Sequence, residues 1–251
     1  MIRAHLFDKR APADPLFRWR GGDPSRLEAL ADGVFALALA LLMVSQGAPS
    51  SFAELQDVLR DMPAFLVSFL LLVMAWHYHY MFFRRYGLED FLTIVLNAAL
   101  LFLVLFYVYP LRFLFLFLYH GMIGVDVEPM YAGSGALSGL MASPERGMMI
   151  FYSSGVVGIF GLFALMHLRA LRLREQLELD ELELFLTRAA LRAHGISVFV
   201  GVLSLLLAVV THPSIAGLIY FLMPVLHPLH GFRTGVRADA IHRRMTAEDS
   251  G

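Results

Sequence analysis

Five polar side chains stand in or beside apolar stretches of the first half of this chain. They are Arg26, Asp32, Trp76, His79 and Asn97. Asp32 precedes an uncharged run that lasts to Val44, and an unpaired carboxylate beside such a run is costly in lipid. We therefore expect Asp32 to accept hydrogen bonds from Trp76, His79 or Arg26 of its own or a neighbouring chain, with Asn97 joining the same network. The tryptophan and histidine are also typical of an interfacial belt at a membrane surface.

The same residues allow a second chemistry, a proton relay between Asp32 and His79. Metal binding is less well supported, because His77 and His79 lie about 200° apart on a helix and cannot chelate one ion. The chain has no cysteine, which excludes thiolate metal sites and cysteine nucleophiles. The histidines form no H-x-x-x-H box on one face, and no Ser-His-Asp set can be assembled. We predict no catalytic residue, no metal site and no enzyme.

Long apolar stretches must position these side chains. Of the 251 residues, 58% are hydrophobic and 13% are aromatic, and the apolar residues come in long blocks. This pattern is typical of integral membrane proteins, in which a helix needs about 20 residues to cross the hydrocarbon core. We place six spans near residues 26–46, 63–83, 91–111, 148–168, 190–210 and 214–231. The predicted fold class is all-α, a polytopic membrane protein with six transmembrane helices.

Sequence signals predict the ends of two of these helices. Ser25 followed by Glu28 is a capping-box signature, so the first helix should begin near position 24. Pro110 and Arg112 fall where the third span should leave the membrane. The apolar residues 111–119 then form an aromatic interfacial extension rather than a seventh span.

The second half of the chain offers packing and kinking signals. Small residues recur at helical spacing in the fourth and fifth spans, which favours close helix packing in lipid. They are Gly155, Gly158, Gly161, Ser197, Gly201, Ser204 and Ala208. Pro224 and Pro228 predict a kink or fraying toward the cytoplasmic end of the last span. Residues 169–192 should form a helical hairpin or extend the neighbouring spans.

The distribution of basic residues predicts the orientation. Of the 20 lysine and arginine residues, only Arg60, Arg112 and Arg146 fall on one side of the predicted spans. Basic residues concentrate on the cytoplasmic side, so both termini should be cytoplasmic. The predicted domains are a cytoplasmic amino-terminal segment at 1–23, a six-helix transmembrane domain at 24–231 and a cytoplasmic carboxyl tail at 232–251.

Two motifs resemble those of a known family. Residues 26–32 (RLEALAD) resemble the Arg-x-x-x-Phe-Ser-Asp signature on the first helix of the transmembrane protein 175 family, the potassium channels of lysosomes and their bacterial relatives. Residues 76–83 (WHYHYMFF) are similar to the family's Trp-x-x-His-x-x-x-Phe pattern on the second helix, and Asn97 and Pro110 fall where its third helix has similar residues. The resemblance covers residues 24–112 and rests on the number of spans beyond them.

This chain departs from the family pattern at three positions. Leu30 and Ala31 replace the Phe-Ser pair, so the network around Asp32 lacks one hydrogen-bonding serine. Ala40 stands where bacterial relatives often have a threonine that faces the pore, so the pore lacks a polar ring. Weaker selectivity or poor conduction would follow.

The resemblance implies six helices per subunit, four subunits and a central pore lined by the first helix of each. The family has no carbonyl selectivity filter, and this sequence has none of the Thr-Val-Gly-Tyr-Gly kind. The pore-lining residues implied are Leu37, Ala40, Leu41 and Val44, with Leu37 at the constriction. The polar network then holds the helix in place without touching the ion. Periodicity alone would assign this stripe to lipid or to the core.

These observations favour a homotetrameric, potassium-preferring cation channel of the cell membrane, with the bacterial inner membrane expected. Its partners would be the lipid bilayer and monovalent cations, without nucleic acid, and no cofactor is expected apart from permeant K⁺. One alternative is a proton-coupled transporter that uses Asp32 and His79, although no repeat links residues 26–111 to 148–231. The other is a non-conducting membrane scaffold.

Overall fold

The computed structural model describes residues 16–45, 47–127, 130, 143–211 and 213–249, over which every regular element is a helix. We number the helices as α1 Arg26–Val44, α2 Phe52–Arg60, α3 Met62–Tyr86, α4 Phe91–Met122, α5 Pro144–Arg172, α6 Glu181–Val210, α7 Pro213–Leu218 and α8 Met223–Asp249, with a 3₁₀ turn at Ile219–Leu222. Arg3, Lys9 and Arg10 of the predicted amino-terminal segment lie outside the described residues, as do residues 131–142 between α4 and α5.

Six helices in the described part of the chain are long and apolar enough to cross a membrane, which confirms the predicted number of spans. They are α1, α3, α4, α5, α6 and a composite of α7, the 3₁₀ turn and α8 counted from Ile215 to Ala247. The helices α5 and α6 have 29 and 30 residues, so they extend into the 169–192 connection as predicted.

The helix α1 begins where its capping signals predict. The Ser25 hydroxyl accepts a hydrogen bond from the Glu28 backbone N–H at 3.1 Å, and the Glu28 carboxylate accepts one from the Ser25 N–H at 3.1 Å. This reciprocal arrangement satisfies two amide groups that a helix start leaves without partners. At the far end of α3, Gly87 has a φ of 57°, a left-handed conformation that glycine adopts without strain.

The helix α4 continues through Pro110 without a break and ends at Met122. The predicted aromatic extension is therefore part of the same helix as the third span. The Pro110 carbonyl accepts a hydrogen bond from the Tyr152 hydroxyl of α5 at 2.5 Å. This hydrogen bond joins α4 to α5 at the level of the proline.

The irregular part of the last span precedes its prolines. The 3₁₀ turn at 219–222 separates α7 from α8, and α8 then runs through Pro228 to Asp249. Pro224 lies in the first turn of α8, where a missing backbone N–H has little cost. The predicted fraying toward the cytoplasmic end is therefore wrong, and most of the predicted carboxyl tail is helical.

Small residues bring α5 close to its neighbours. A Cβ at Gly155 would lie 2.3 Å from the Tyr107 side chain of α4, and a Cβ at Gly201 of α6 would lie 2.9 Å from the Val157 side chain. Any larger residue would push these helices apart. The predicted packing role is confirmed at these positions, whereas a Cβ at Gly161 would meet no atom within 4 Å.

The segment before α1 packs against the ends of α3 and α6. Phe17 is buried, with its ring edge-on to Tyr86 at 5.5 Å between centroids. The backbone N–H of Arg20 donates to the Arg84 carbonyl at 3.1 Å, and the Arg20 guanidinium forms an ion pair with Glu183. These contacts fix the position from which α1 starts.

Candidate functional site

The helix α1 has one buried face. Ala31, Phe35, Ala38 and Leu42 are at most 2% exposed, and their spacing of three and four residues forms one stripe. The stripe belongs to a core shared with buried residues of α3, α4 and α5. This packing fixes the rotation of α1 about its own axis.

The four predicted pore-lining residues lie on or beside the opposite face. Leu37 is 52% exposed and Val44 is 71% exposed. Ala40 is exposed and Leu41 is half-buried. Arg26 is exposed on the same stripe, three turns before Leu37. The face that the resemblance assigns to the pore is therefore turned away from the core of its own protomer.

Trp76 holds Asp32 in place. Its indole Nε1 donates a hydrogen bond to Asp32 Oδ1 at 2.8 Å, which joins α3 to α1. The indole also stacks on Tyr80, with ring centroids 5.6 Å apart. Asp32 is exposed in the isolated protomer, so this chain alone does not bury the acid.

His79 points toward a different helix. Its Nε2 lies 2.8 Å from Oδ1 of Asn97 on α4, and both residues are buried. With the amide oxygen as acceptor, the imidazole donates this hydrogen bond. The Asn97 Nδ2 atom is buried without a partner among the described residues. The predicted network is therefore divided into two pairs, one between α1 and α3 and one between α3 and α4.

Arg26 takes no part in either pair. Its side chain is exposed and makes no hydrogen bond or ion pair with the described residues. The expectation that Arg26 donates to Asp32 is therefore not met within one protomer. Its position on the exposed stripe instead leaves the guanidinium available beyond the protomer.

Two anchors at the ends of α1 escaped the sequence analysis. Near its start, Glu28 lies 3.4 Å from the Arg84 guanidinium of α3. At its end, Arg112 of α4 donates to the Ser45 carbonyl at 2.5 Å and to the Ser45 hydroxyl at 2.9 Å. A cation at a helix C-terminus is favourable because the last carbonyls carry partial negative charge. The sequence contained one signal for these two anchors, because Arg84 and Arg112 each stand at the end of a predicted span.

Asp90 links the start of α4 to the end of α5 outside the membrane spans. Its carboxylate lies 3.1 Å from the Arg169 guanidinium and accepts a hydrogen bond from the Thr93 hydroxyl at 2.6 Å. Burial raises the pKa of Asp90, but hydrogen bonds from Thr93 and Arg169 together with the Arg169 charge lower it more. The pKa therefore lies below its ordinary value, and the ion pair persists at neutral pH.

The histidines of α3 do not form a ligand set. His77 is exposed whereas His79 is buried, as their spacing predicts. In the described part of the chain, no three histidine, aspartate or glutamate side chains are grouped so that they could hold a metal ion. The site consists of hydrogen bonds and apolar contacts that position one helix.

These features define a multi-pass α-helical membrane protein built around its first helix. The family model described as endosomal/lysosomal potassium channel TMEM175 matches residues 26–108. A protein of Marivirga tractuosa named "Potassium channel" is 35% identical over 231 residues, which cover 88% of this chain and 92% of that protein. The chain belongs to the TMEM175 family, which confirms the resemblance seen in the sequence.

Solved structures share the fold. A crystal structure of a threonine-to-alanine variant of the potassium channel MtTMEM175, in complex with a nanobody–MBP fusion, has a TM-score of 0.75 and 34% identity, and the match covers 88% of this chain and 98% of that one. A TMEM175 homologue from Chamaesiphon minutus, described as a lysosomal potassium-selective channel homologue, has a TM-score of 0.52 at 20% identity over 83% of this chain and 96% of that one, and supports the fold alone. Because the family and its relatives are channels, the prediction that the chain is not an enzyme is confirmed.

Proposed function

We propose that this chain forms a homotetrameric cation channel that prefers potassium, with α1 of each subunit lining the pore. One observation carries the proposal: α1 is packed tightly on one face, while the face with Leu37, Ala40 and Val44 is turned away from the protomer. A family relative that is 35% identical is named as a potassium channel. Around a central axis, the exposed faces of α1 would form an apolar passage.

The constriction in this proposal is the ring of Leu37 side chains. Such a ring has no oxygen atoms to replace the hydration shell of the ion, so it would act through its width and through dewetting. Ala40 and Val44 would continue the apolar wall outward, with Leu41 at its edge. Since Ala40 carries no hydroxyl, we expect modest selectivity for K⁺ over Na⁺.

The polar residues would serve as anchors in this proposal. The Trp76–Asp32 bond and the Glu28–Arg84 pair attach the first half of α1 to α3. They are on the side of α1 that faces its own protomer, away from Leu37. The ion would therefore pass apolar side chains whose position is set by polar contacts behind them.

The transporter alternative is less well supported by the geometry. A relay between Asp32 and His79 requires the two side chains to exchange a proton, but His79 Nε2 is bonded to Asn97 instead. No observation favours the scaffold alternative over a channel. A flux that saturates and follows a pH gradient would still point to a transporter.

Ion flux from liposomes tests the proposal. Purified protein is reconstituted, and K⁺ and Na⁺ efflux are compared in the same preparation. We expect K⁺ efflux to exceed Na⁺ efflux, to depend on the ion gradient and to be insensitive to a pH gradient. An intact reconstituted oligomer without flux would contradict the proposal.

A matched pair of leucine variants tests the constriction. Leu37→Asn places a polar side chain in the proposed ring and should raise the leak severalfold, because a polar ring stays hydrated. Leu206 of α6 is 55% exposed, close to the 52% of Leu37, so Leu206→Asn is the control. Unchanged flux in Leu37→Asn, or an equal rise in both variants, would show that Leu37 is not the gate.

A further inference from the structure

Four exposed arginines on α6 and α8 have no side-chain partner within the described ranges. They are Arg188, Arg192, Arg233 and Arg237, here named the arginine quartet. Several other arginines at this end of the bundle are paired with carboxylates, as Arg20 is with Glu183 and Arg169 is with Asp90. The quartet therefore carries four positive charges that the protomer does not neutralise.

One ion pair joins the two helices at this level. Glu181, at the start of α6, contacts Arg244, near the end of α8. The two quartet members on α6 follow Glu181 by seven and eleven residues, and the two on α8 precede Arg244 by the same numbers. Seven and eleven residues are about two and three helical turns, so each pair shares a face with its end of the ion pair.

The antiparallel arrangement brings the quartet to one end of the helix pair. The contacts of Glu181 with Arg244 and of Ala189 with His230 place residues 188–192 of α6 alongside the 227–237 part of α8. The four arginines therefore lie at one end of the α6–α8 contact, two on each helix.

Two further contacts join the same parts of the two helices. His230 Nε2 of α8 lies 2.9 Å from the Ala189 carbonyl of α6, and His227 Nε2 lies 2.9 Å from the Ser197 hydroxyl oxygen. The part of α8 just before Arg233 therefore packs beside the part of α6 that carries Arg192.

The described carboxylates of α6 and α8 leave the quartet unbalanced. The Glu183 carboxylate faces Arg20 and accepts a hydrogen bond from its guanidinium. Asp239 lies two residues after Arg237, about 200° around the helix. Four like charges at one end of two packed helices repel one another, and an anion bound among them would reduce that repulsion.

Apolar side chains continue this surface toward the middle of the membrane. Phe199, seven residues beyond Arg192, is 63% exposed. Leu229, four residues before Arg233, is 44% exposed. A basic group beside an exposed apolar strip matches the two parts of a phospholipid, its headgroup and its acyl chains.

We propose that the arginine quartet binds the headgroup of an anionic phospholipid of the cytoplasmic leaflet. Guanidinium groups bind phosphate oxygens in a bidentate manner, and two exposed arginines on each of two packed helices suit a headgroup with two phosphates, such as that of diphosphatidylglycerol. The acyl chains lie along Phe199 and Leu229. Lipid binding at this site does not depend on ion conduction. The lipid proposal and the proposed channel function can therefore fail independently of each other.

Native mass spectrometry of the full chain in detergent tests the site. Diphosphatidylglycerol or neutral phosphatidylcholine is titrated into the wild type, into Arg192→Gln/Arg233→Gln and into a control. The control, Arg172→Gln/Arg243→Gln, removes the same number of exposed charges outside the quartet. Since each arginine near an anionic lipid surface contributes about fivefold to affinity, we expect the quartet variant to bind diphosphatidylglycerol about thirtyfold more weakly.

Several outcomes would overturn the inference. Equal binding by the wild type and the quartet variant would show that these arginines do not form the site. An equal loss of binding in the control would show that only net charge matters, and equal binding of phosphatidylcholine would show that the net negative charge of the headgroup does not matter. Displacement of the lipid by millimolar inorganic phosphate would indicate a site for small anions instead.

Discussion

At the scale of single residues, Asp32 depends on one donor. Trp76 Nε1 gives it a hydrogen bond of 2.8 Å, and no other side chain of the protomer is described as bonded to it. A hydrogen bond to a charged carboxylate is stronger than one between neutral groups, and Asp32 is exposed on the side that does not face Trp76. The indole also stacks on Tyr80, so its orientation is fixed from two sides.

Replacing the donor should loosen α1. Trp76→Phe keeps an aromatic ring beside Tyr80 but removes the N–H, which leaves the Asp32 carboxylate without its partner. A hydrogen bond to a charged group contributes about 1.5–3 kcal/mol, so we expect the melting temperature in detergent to fall by roughly 3–10 °C.

Asp32→Asn serves as the comparison for this variant. Its amide oxygen can still accept from the Trp76 indole, so the fall in melting temperature should be smaller than in Trp76→Phe. If Trp76→Phe melted at the wild-type temperature, Trp76 would not be the anchor of Asp32.

At the scale of elements, the segment before α1 connects helices that are far apart in sequence. Arg20 donates through Nε to the Leu177 carbonyl at 2.6 Å and forms an ion pair with Glu183, whose side chain is 1% exposed. The pair joins the approach to α1 with the start of α6. Its planar geometry requires a guanidinium.

Arg20→Lys should therefore be strongly destabilising although the charge is kept. An ammonium group cannot bond both Glu183 oxygens and the Leu177 carbonyl together, and a partly unpaired buried carboxylate is costly. Thermal unfolding in detergent measures the effect. Arg18→Lys is the control, because Arg18 has a side chain 60% exposed and lies 4.0 Å from Glu178. Equal melting temperatures for the two variants would contradict this account.

The Asp90–Arg169 pair should make stability depend on pH. Because the pKa of Asp90 is lowered in the folded chain, its contribution is present above the unfolded value of about 4 and is lost as pH falls through the lower folded value. Asp90→Asn keeps an acceptor for the Thr93 hydroxyl and removes only the charge. We expect the wild type to melt above Asp90→Asn at pH 7 and the difference to vanish at strongly acidic pH. A difference that stays constant with pH would contradict this assignment.

The anchors show what the sequence could predict and why the rest escaped. Trp76, His79 and Asn97 were identifiable because polar groups are rare in apolar helices. Their hydrogen-bond partners could not be predicted. Positions 76 and 79 are close together on one helix, and only the packing of α1 and α4 decides which of the two side chains faces Asp32 and which faces Asn97. Arg20 and Glu183 are separated by 163 positions, so no local pattern links them.

At the scale of the whole molecule, hydropathy predicted the six spans because the membrane imposes one helix length on each. It could not predict the helix that continues past Pro110 or the 3₁₀ turn at 219–222, which depend on neighbouring helices. The pore is a property of several copies. A single protomer offers only an exposed face, on which Leu37 and Val44 are far more exposed than Phe35 and the rest of the buried stripe.

A structure of the purified particle in a lipid nanodisc tests the central proposal most directly. Our account predicts four subunits around one axis, with the Leu37 side chains of all four facing that axis and forming its narrowest point. The Trp76–Asp32 bond would lie behind them in each subunit. A particle with one protomer, or one in which Leu37 faces acyl chains, would contradict it.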